Sequence, residues 1–319
     1  MKLDSKIFIA GHRGLAGGAL VRELQRRGFR SLVTRTHTEL DLEDKAATLR
    51  FFEVERPRIV FLAAAKVGGI IANNSYPVDF LMRNLEIQAN VFRASHSVGI
   101  ERLVYLGSSC MYPRDCEQPI RETYLLTGPL EPTNQPYAVA KITGVQMCHA
   151  YNRQFGTRYL AATPAGLYGA GDSYDPANSH VLPALIRKMH EAKVTGQGEV
   201  VLWGSGRPRR EFLHCQDMAQ ALIFLAELDD TRFDAVFDGA NVPLINVGIG
   251  KDQSIQQLAE VVAAVVGYRG RFVHDTSKPD GTPRKLLDSS KLRALGWEPK
   301  TDLREGIAEA YRDFLARSV

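Results

Sequence analysis

A doubly wound α/β fold on a parallel sheet is what this 319-residue sequence predicts. Three observations carry that reading. Short, apolar, β-branched runs alternate with longer helical patterns through the first 165 residues. The runs lack polar alternation, as strands covered on both faces require. A glycine triplet closes the first run and opens the first helix. In order, strands are expected at Lys6–Ala10, Leu32–Thr34, Ile59–Leu62, Leu103–Gly107 and Tyr159–Thr163. Helices are expected between them at Gly14–Arg27, Glu43–Val54, Pro77–Val98 and Pro136–Phe155.

Beyond residue 165 the pattern changes. Gly166–Pro183 gathers Gly, Pro, Asp and Asn. A helix at Ala184–Ala192, a strand at Val200–Trp203 and a Gly/Pro/Arg loop at Gly204–Arg210 come next. A helix at Cys215–Leu228, a loop at Asp229–Pro243 and a last helix at Glu305–Val319 follow. We therefore expect a sheet domain over residues 1–165 and a smaller, loop-rich substrate-binding portion over 166–319, with about 211–250 returning to the sheet. No fixed-period repeat or low-complexity tract occurs.

Composition narrows the classes. A hydrophobic fraction of 45% with 24% charged residues excludes a largely disordered chain. The longest apolar run, Ile59 to Ala65, is far short of the ~20 residues that span a bilayer. Asp4 and Lys6 interrupt the stretch where a secretory signal needs an apolar core, so a cytoplasmic protein is expected. A net charge of +4 is too small for a nucleic-acid platform, yet suits an anionic small substrate. Cys110, Cys116, Cys148 and Cys215 form no C-x-x-C pair and no metal-ligand spacing; free thiols and no metal are expected.

The first strand runs into Gly11-His-Arg-Gly14-Leu-Ala-Gly17. Glycines at intervals of three tighten the turn, admit a pyrophosphate to the backbone and let the helix sit close to the strand. The helix N-terminus then turns its free N–H groups towards the phosphates. A glycine triplet alone also serves a bare β–α turn; the strand before it and the helix after it favour a dinucleotide. Sites for NAD usually place an acid about twenty residues on, to hold the ribose hydroxyls. Here the segment reads Val33-Thr-Arg35-Thr-His-Thr-Glu39, and Arg13 lies in the loop. Cations there suit a 2′-phosphate, so NADP is expected, with Asp41 and Leu42 under the adenine.

Tyr137 and Lys141 stand four apart in a helical pattern that Pro136 is placed to open, so both emerge on one face. An ammonium beside a phenol favours the phenolate, which makes Tyr137 a candidate acid/base. Such pairs are common on solvated helices. The fourth strand, however, ends in Gly107-Ser108-Ser109-Cys110, and ligands of these sheets bind beyond the carboxyl ends of the strands. Ser108, Tyr137, Lys141 and the glycines together resemble the extended short-chain dehydrogenase/reductase superfamily, a Rossmann fold. That resemblance implies Tyr137 as acid/base, Ser108 polarising the substrate oxygen and Lys141 on the nicotinamide ribose.

Five segments narrow the resemblance to the GDP-L-fucose synthase family: Ile9–Gly14, Leu62–Ile70, Gly107–Pro113, Leu130–Ala138 and Pro279–Lys285. It implies an NADPH-dependent enzyme that epimerises C3 and C5 of a GDP-4-keto-6-deoxy sugar and reduces C4. Cys110 would be the base, its thiolate helped by nearby cations, and His180 the acid. Cofactor contacts are expected from Gly11, His12, Arg13, Gly14, Leu15, Gly17, Arg35, Asp41, Leu42, Ala63, Ala64, Leu106, Gly107, Tyr137, Lys141, Pro164, Leu167 and His180. Lys188, Trp203, Arg210 and Asp280 would hold the GDP-sugar, Arg210 clamping the diphosphate.

The family usually reads Pro-Thr-Asn-Leu-Tyr-Gly-Pro where this chain has Pro164-Ala-Gly-Leu-Tyr-Gly-Ala170. Extra room beside the sugar is expected, which would suit a bulkier relative such as a GDP-heptose. A non-catalytic NADP-binding regulator is the alternative from another class; the intact Ser108, Tyr137, Lys141, Cys110 and His180 speak against it. Apolar residues on more than one face of the helices at Pro77–Val98 and Pro136–Phe155 call for a partner, and the resemblance implies a homodimer that pairs these two helices.

Overall fold

The computed structural model describes residues 1–175, 179–236, 242–278 and 280–317. Strands β1 (Ile7–Ala10), β2 (Leu32–Val33), β3 (Ile59–Leu62), β4 (Arg102–Leu106) and β5 (Tyr159–Pro164) form where the apolar runs stand. The later chain adds β6 (Gly166–Tyr168), β7 (Glu199–Trp203), β8 (Arg209–Arg210), β9 (Phe212–His214) and β10 (Leu244–Val247). Strand β10 pairs with β5, and the main sheet runs β10-β5-β4-β3-β1-β2 with every pair parallel. From β1 the chain steps to β2 on one side and returns to β3 on the other. The switch point therefore opens at the carboxyl ends of β1 and β3, where a ligand can enter.

Helices α1 (Leu15–Arg26), α2 (Lys45–Glu55), α3 (Ile70–Ser75), α4 (Pro77–Ser97) and α5 (Gln135–Phe155) connect these strands. Asp44 caps α2 by accepting from the N–H groups of Ala46 and Ala47 at 2.8 and 3.0 Å. Pro136 stands in the first turn of α5, and Gly156, at φ 65°, ends it in the left-handed conformation. One core joins both faces of the sheet, from Ile7, Phe61 and Val104 to Leu213, Met218 and Ile245.

A second core lies among α6 (Val181–Val194), α9 (Ile255–Val266) and α11 (Leu303–Arg317), where Leu182, Ile186, Met189, Leu258, Val262 and Ile307 bury one another. Helix α9 starts with a capping box: Ser254 Oγ accepts from Gln257 N–H, and the Gln257 side chain accepts from Ser254 N–H. Helix α7 (Cys215–Ala226) packs against α1 under the sheet. The expected loop at Asp229–Pro243 instead begins with α8 (Asp230–Val236), held by Arg232 N–H donating to Asp229; residues 237–241 lie outside the described ones. Around the second core, β12 (Arg271–Asp275) pairs with β7. Strand β8 sits between β11 (Gln253–Ser254) and β13 (Arg284–Lys285). Helix α10 (Ser290–Ala294) leans on β10. Among the described residues no helix is long and apolar enough to cross a membrane.

One contact fixes α5 over β4. A Cβ at Gly144 would overlap the Tyr105 ring, so the helix can approach only because the residue is glycine. Tyr105 Oη donates to Gln88 Oε1 at 2.9 Å, and Gln88 Nε2 donates to the Ala140 carbonyl at 2.8 Å, tying α4, β4 and α5 together. Overpacking this contact should cost about 1–3 kcal/mol. Gly144→Ala is therefore expected to lower the thermal midpoint and to reduce turnover together, because α5 carries Tyr137 and Lys141. An unchanged midpoint by calorimetry would remove this contact from the account.

Candidate active site

The glycine turn is built for close approach. Gly11 has φ +87°, and a Cβ there would lie 2.7 Å from Ala64 N. A Cβ at Gly17 would overlap the Gly11 carbonyl, so α1 starts pressed against the turn. Gly14 is the extended N-cap of α1, and no side chain caps the first helical N–H groups. Ala63, next to Ala64, hydrogen-bonds back to the Ala10 carbonyl at 3.1 Å. A cradle for a pyrophosphate is thus present in the backbone itself. Arg13 is exposed at its rim; the Glu39 carboxyl is held low chiefly by the Thr36 hydrogen bonds, with smaller help from the charges of Arg35 and Arg13. Arg35 lies over the Phe51 ring and pairs with Glu55 at 2.6 Å, so its charge is partly neutralised. Leu42 is buried, while Asp41 is exposed and accepts from Glu43 N–H at 2.9 Å.

At the end of β4, Leu106 leads through Gly107 into a single turn of 3-10 helix that Ser108 caps. The Cys110 thiol donates to Ser108 Oγ at 3.2 Å. From α5, Lys141 Nζ donates to the Leu106 carbonyl at 2.8 Å and stands 5.8 Å from the centre of the Tyr137 ring. Tyr137 itself rests edge-on against Phe80. Ser108, Cys110, Tyr137 and Lys141 therefore meet at one point, from two elements that the Gly144–Tyr105 contact holds in register.

Two electrostatic expectations need correction. The sequence predicts a Tyr137 phenol lowered by Lys141; the structure raises it, chiefly through burial and then the Cys110 thiol, with the Ser108 hydrogen bond opposing. Tyr137 is a phenol, suited to donate a proton. Cys110 is likewise raised by burial, against the Ser108 hydrogen bond and the positive charges of Lys285 and Lys141, so the resting group is a thiol rather than a ready thiolate. Burial also pushes Lys141 down to about 8. Lys285, from β13, is the residue that residue-by-residue reasoning missed. It belongs to the segment Pro279–Lys285, of which Pro279 lies outside the described residues.

Farther out, Trp203 at the end of β7 is 57% exposed, an unusual place for so large an apolar side chain. Lys188 lies 5.1 Å from its ring centre, and Lys278 5.8 Å. Asp280 accepts from Ser205 N–H at 2.6 Å and from Ser205 Oγ at 2.7 Å, beside the same strand end. Arg210 pairs in register with Lys285 across β8 and β13. His180 is exposed at the N-cap of α6, facing Asp172; Asn178 of its motif lies outside the described residues. Pro164 ends β5, and Leu167 lies in β6. Gly166 is exposed, and a Cβ there would sit 2.9 Å from the Glu211 carbonyl oxygen, just before β9, with which β6 pairs.

A family model for the NAD dependent epimerase/dehydratase family matches residues 7–236. The chain belongs to that family. It is 52% identical to GDP-L-fucose synthase 1 of Arabidopsis thaliana over 312 residues, covering 98% of this chain and 94% of the relative. It is 51% identical to GDP-L-fucose synthase of Escherichia coli K12, covering 97% and 96%. Among solved structures it resembles a GDP-D-glycero-L-gluco-heptose synthase from Campylobacter jejuni, solved in the presence of NADPH, with a TM-score of 0.92, 37% identity and 99% of each chain covered.

The lowered Lys141 has a measurable consequence. The folded protein releases this proton near 8, whereas an unfolded chain holds it to about 10.4. Between those values the unfolded state binds more protons, so this site makes stability rise with pH. Lys141→Met abolishes that rise. The variant's stability relative to wild type should be greatest below pH 8 and decline towards pH 10, read from urea midpoints. A difference that stays constant across that range would contradict the placement of a buried ammonium.

Proposed function

We propose that the chain converts GDP-4-keto-6-deoxy-D-mannose to GDP-L-fucose, as an NADPH-dependent 3,5-epimerase and 4-reductase. The observation that carries this is the meeting of Ser108, Tyr137 and Lys141 with a second proton-carrying group, Cys110, at one strand end. A plain reductase needs no such fourth group. Full-length identity of about half to GDP-L-fucose synthases supports the same reading.

The glycine cradle fits the cofactor's pyrophosphate, and Arg13 with Arg35 fits its 2′-phosphate; when bound, NADPH supplies hydride to C4. The chain's own side chains do the rest. Ser108 and Tyr137 donate hydrogen bonds to the C4 oxygen, stabilising the negative charge that grows there both in enolisation and in reduction. The C3 and C5 protons are acidic because each lies beside that carbonyl. Cys110 removes them as thiolate, and His180 returns protons on the other face. At the end Tyr137 gives its proton to the C4 oxygen, with Lys141 holding the nicotinamide ribose. Arg210 clamps the diphosphate, while Trp203, Lys188 and Asp280 receive the nucleoside.

A second reading, a reductase or epimerase of a GDP-4-keto-6-deoxy heptose, draws on Ala165-Gly166 and the Campylobacter jejuni likeness. The higher identity to fucose synthases makes it second.

Stage-specific variants test the reading. Cys110→Ser should cost about 10²–10⁴-fold in deuterium incorporation at C3 and C5 from D₂O, while hydride transfer survives. Tyr137→Phe should lose reduction and slow the exchange as well. Exchange at the wild-type rate in Cys110→Ser would make Cys110 a structural thiol.

We also infer a homodimer through α4 and α5. Many of their apolar side chains, including Phe80, Phe92 and Val145, are consumed by the core. Val78, Met82 and Val139 remain exposed on the same two helices, a face for the matching helices of a second copy. Light scattering at micromolar concentration should give twice the chain mass; a monomer would overturn it.

A further inference from the structure

One residue of β10 does not fit an apolar strand. Asn246 stands between Ile245 and Val247, fully buried, in register with Thr163 of β5. A carboxamide taken out of water needs partners for its oxygen and its nitrogen, and here both have them. Asn246 Oδ1 accepts from Tyr112 Oη at 2.6 Å. Its Nδ2 donates to the Ile120 carbonyl at 2.9 Å and to the Asp288 carbonyl at 3.2 Å. The backbone N–H, on the sheet edge that β10 forms, donates to Glu122 Oε1 at 2.9 Å.

The carboxamide can stand only one way round. Turned over, its oxygen would face two carbonyl oxygens that it cannot bond. As it stands, both carbonyls have a donor, and Tyr112 is the donor to Oδ1. Four stretches distant in sequence meet at this residue: the turn after β4, residues 120–122, β10 and the segment after β13. Two of them are already joined, since Asp288 N–H donates to the Ile120 carbonyl at 2.8 Å. Asn246 grips that unit with its nitrogen and holds Tyr112 with its oxygen.

Tyr112 matters because of what precedes it. It closes the single 3-10 turn Ser109–Met111, which Ser108 opens and which contains Cys110. Met111 N–H donates to the Ser108 carbonyl at 3.1 Å, so the turn moves as one piece. Its front is fixed where β4 ends, with Lys141 Nζ on the Leu106 carbonyl. Its back is fixed by the buried Tyr112 side chain. We infer that Asn246 is a positioning residue of the active site: through Tyr112 it holds the 108–111 turn, so that Ser108 and Cys110 keep their places beside Tyr137. Asn246 acts without touching substrate. The inference rests on the proposed reading, in which Ser108 and Cys110 serve the reaction. Lys188, Trp203, Arg210 and Asp280, proposed to hold the GDP-sugar, form none of these bonds, so catalysis should suffer more than binding.

The test begins with Tyr112→Phe, which removes one hydroxyl and keeps the ring. It should lower kcat for GDP-4-keto-6-deoxy-D-mannose about tenfold or more, with KM within about twofold of wild type. Amide exchange in the peptide carrying Cys110 and Met111, followed by mass spectrometry without substrate, should quicken about tenfold. Asn246→Leu should do at least as much, and the double variant should be no slower than Asn246→Leu alone, because both cut the same bond. Leu244→Ala, in the same strand but with no bond to Tyr112, controls for stability: its thermal midpoint should fall while kcat stays at the wild-type value. Should Asn246→Leu not fold, Tyr112→Phe and Leu244→Ala decide the matter. Wild-type kcat or wild-type exchange in Tyr112→Phe would overturn the inference, as would a loss of kcat in Leu244→Ala equal to that in Tyr112→Phe. Failure of the proposed reading is separate: a wild type that does not turn over this sugar would sink it, and the exchange rates would still show whether Asn246 holds the turn.

Discussion

Gly144 lets helix α5 lie against the Tyr105 ring, and the chemistry at the end of β4 depends on that approach. The helix brings a phenol and an ammonium, and the strand end brings a hydroxyl and a thiol. Neither element holds a site alone. A separation larger by one methyl group would move Tyr137 and Lys141 away from Ser108 and Cys110, and misplacement of that order is expensive in catalysis. The Tyr105–Gln88–Ala140 hydrogen bonds turn the contact into a fixed register rather than a sliding one.

Burial then decides the charge states. Cys110 and Lys141 are buried and Tyr137 half-buried, so the phenol and thiol are held protonated and the ammonium is made easier to discharge. A site in this state is stocked with proton donors. Base chemistry at carbon needs one of them ionised, and positive charge close by is the available means.

The sheet was legible because strands buried on both faces read as unbroken apolar runs, as in Ile7–Ala10 and Ile59–Leu62. Helix α9 was legible too, through Ser254 and Gln257 at capping-box spacing, yet stands outside the expected elements because the surrounding loops lacked strand signals. Lys285 was visible as part of a motif but not as the strand partner of Arg210. That relation arises from pairing between strands distant in sequence, and no local period announces it. The raised Tyr137 and Cys110 were illegible for a related reason: sequence gives the residue type, whereas burial sets the direction of the shift. At Gly166 the sequence showed a missing side chain, and only the backbone could show the Glu211 carbonyl lying close to where a Cβ would stand.

The most direct measurement is the product of the wild-type chain from GDP-4-keto-6-deoxy-D-mannose and NADPH in D₂O, solved by NMR. GDP-L-fucose carrying deuterium at both C3 and C5 is expected, with one NADPH consumed per sugar. A C4-reduced sugar of unchanged C3 and C5 configuration and without deuterium would contradict it, leaving a reductase in which Cys110 and His180 have no part.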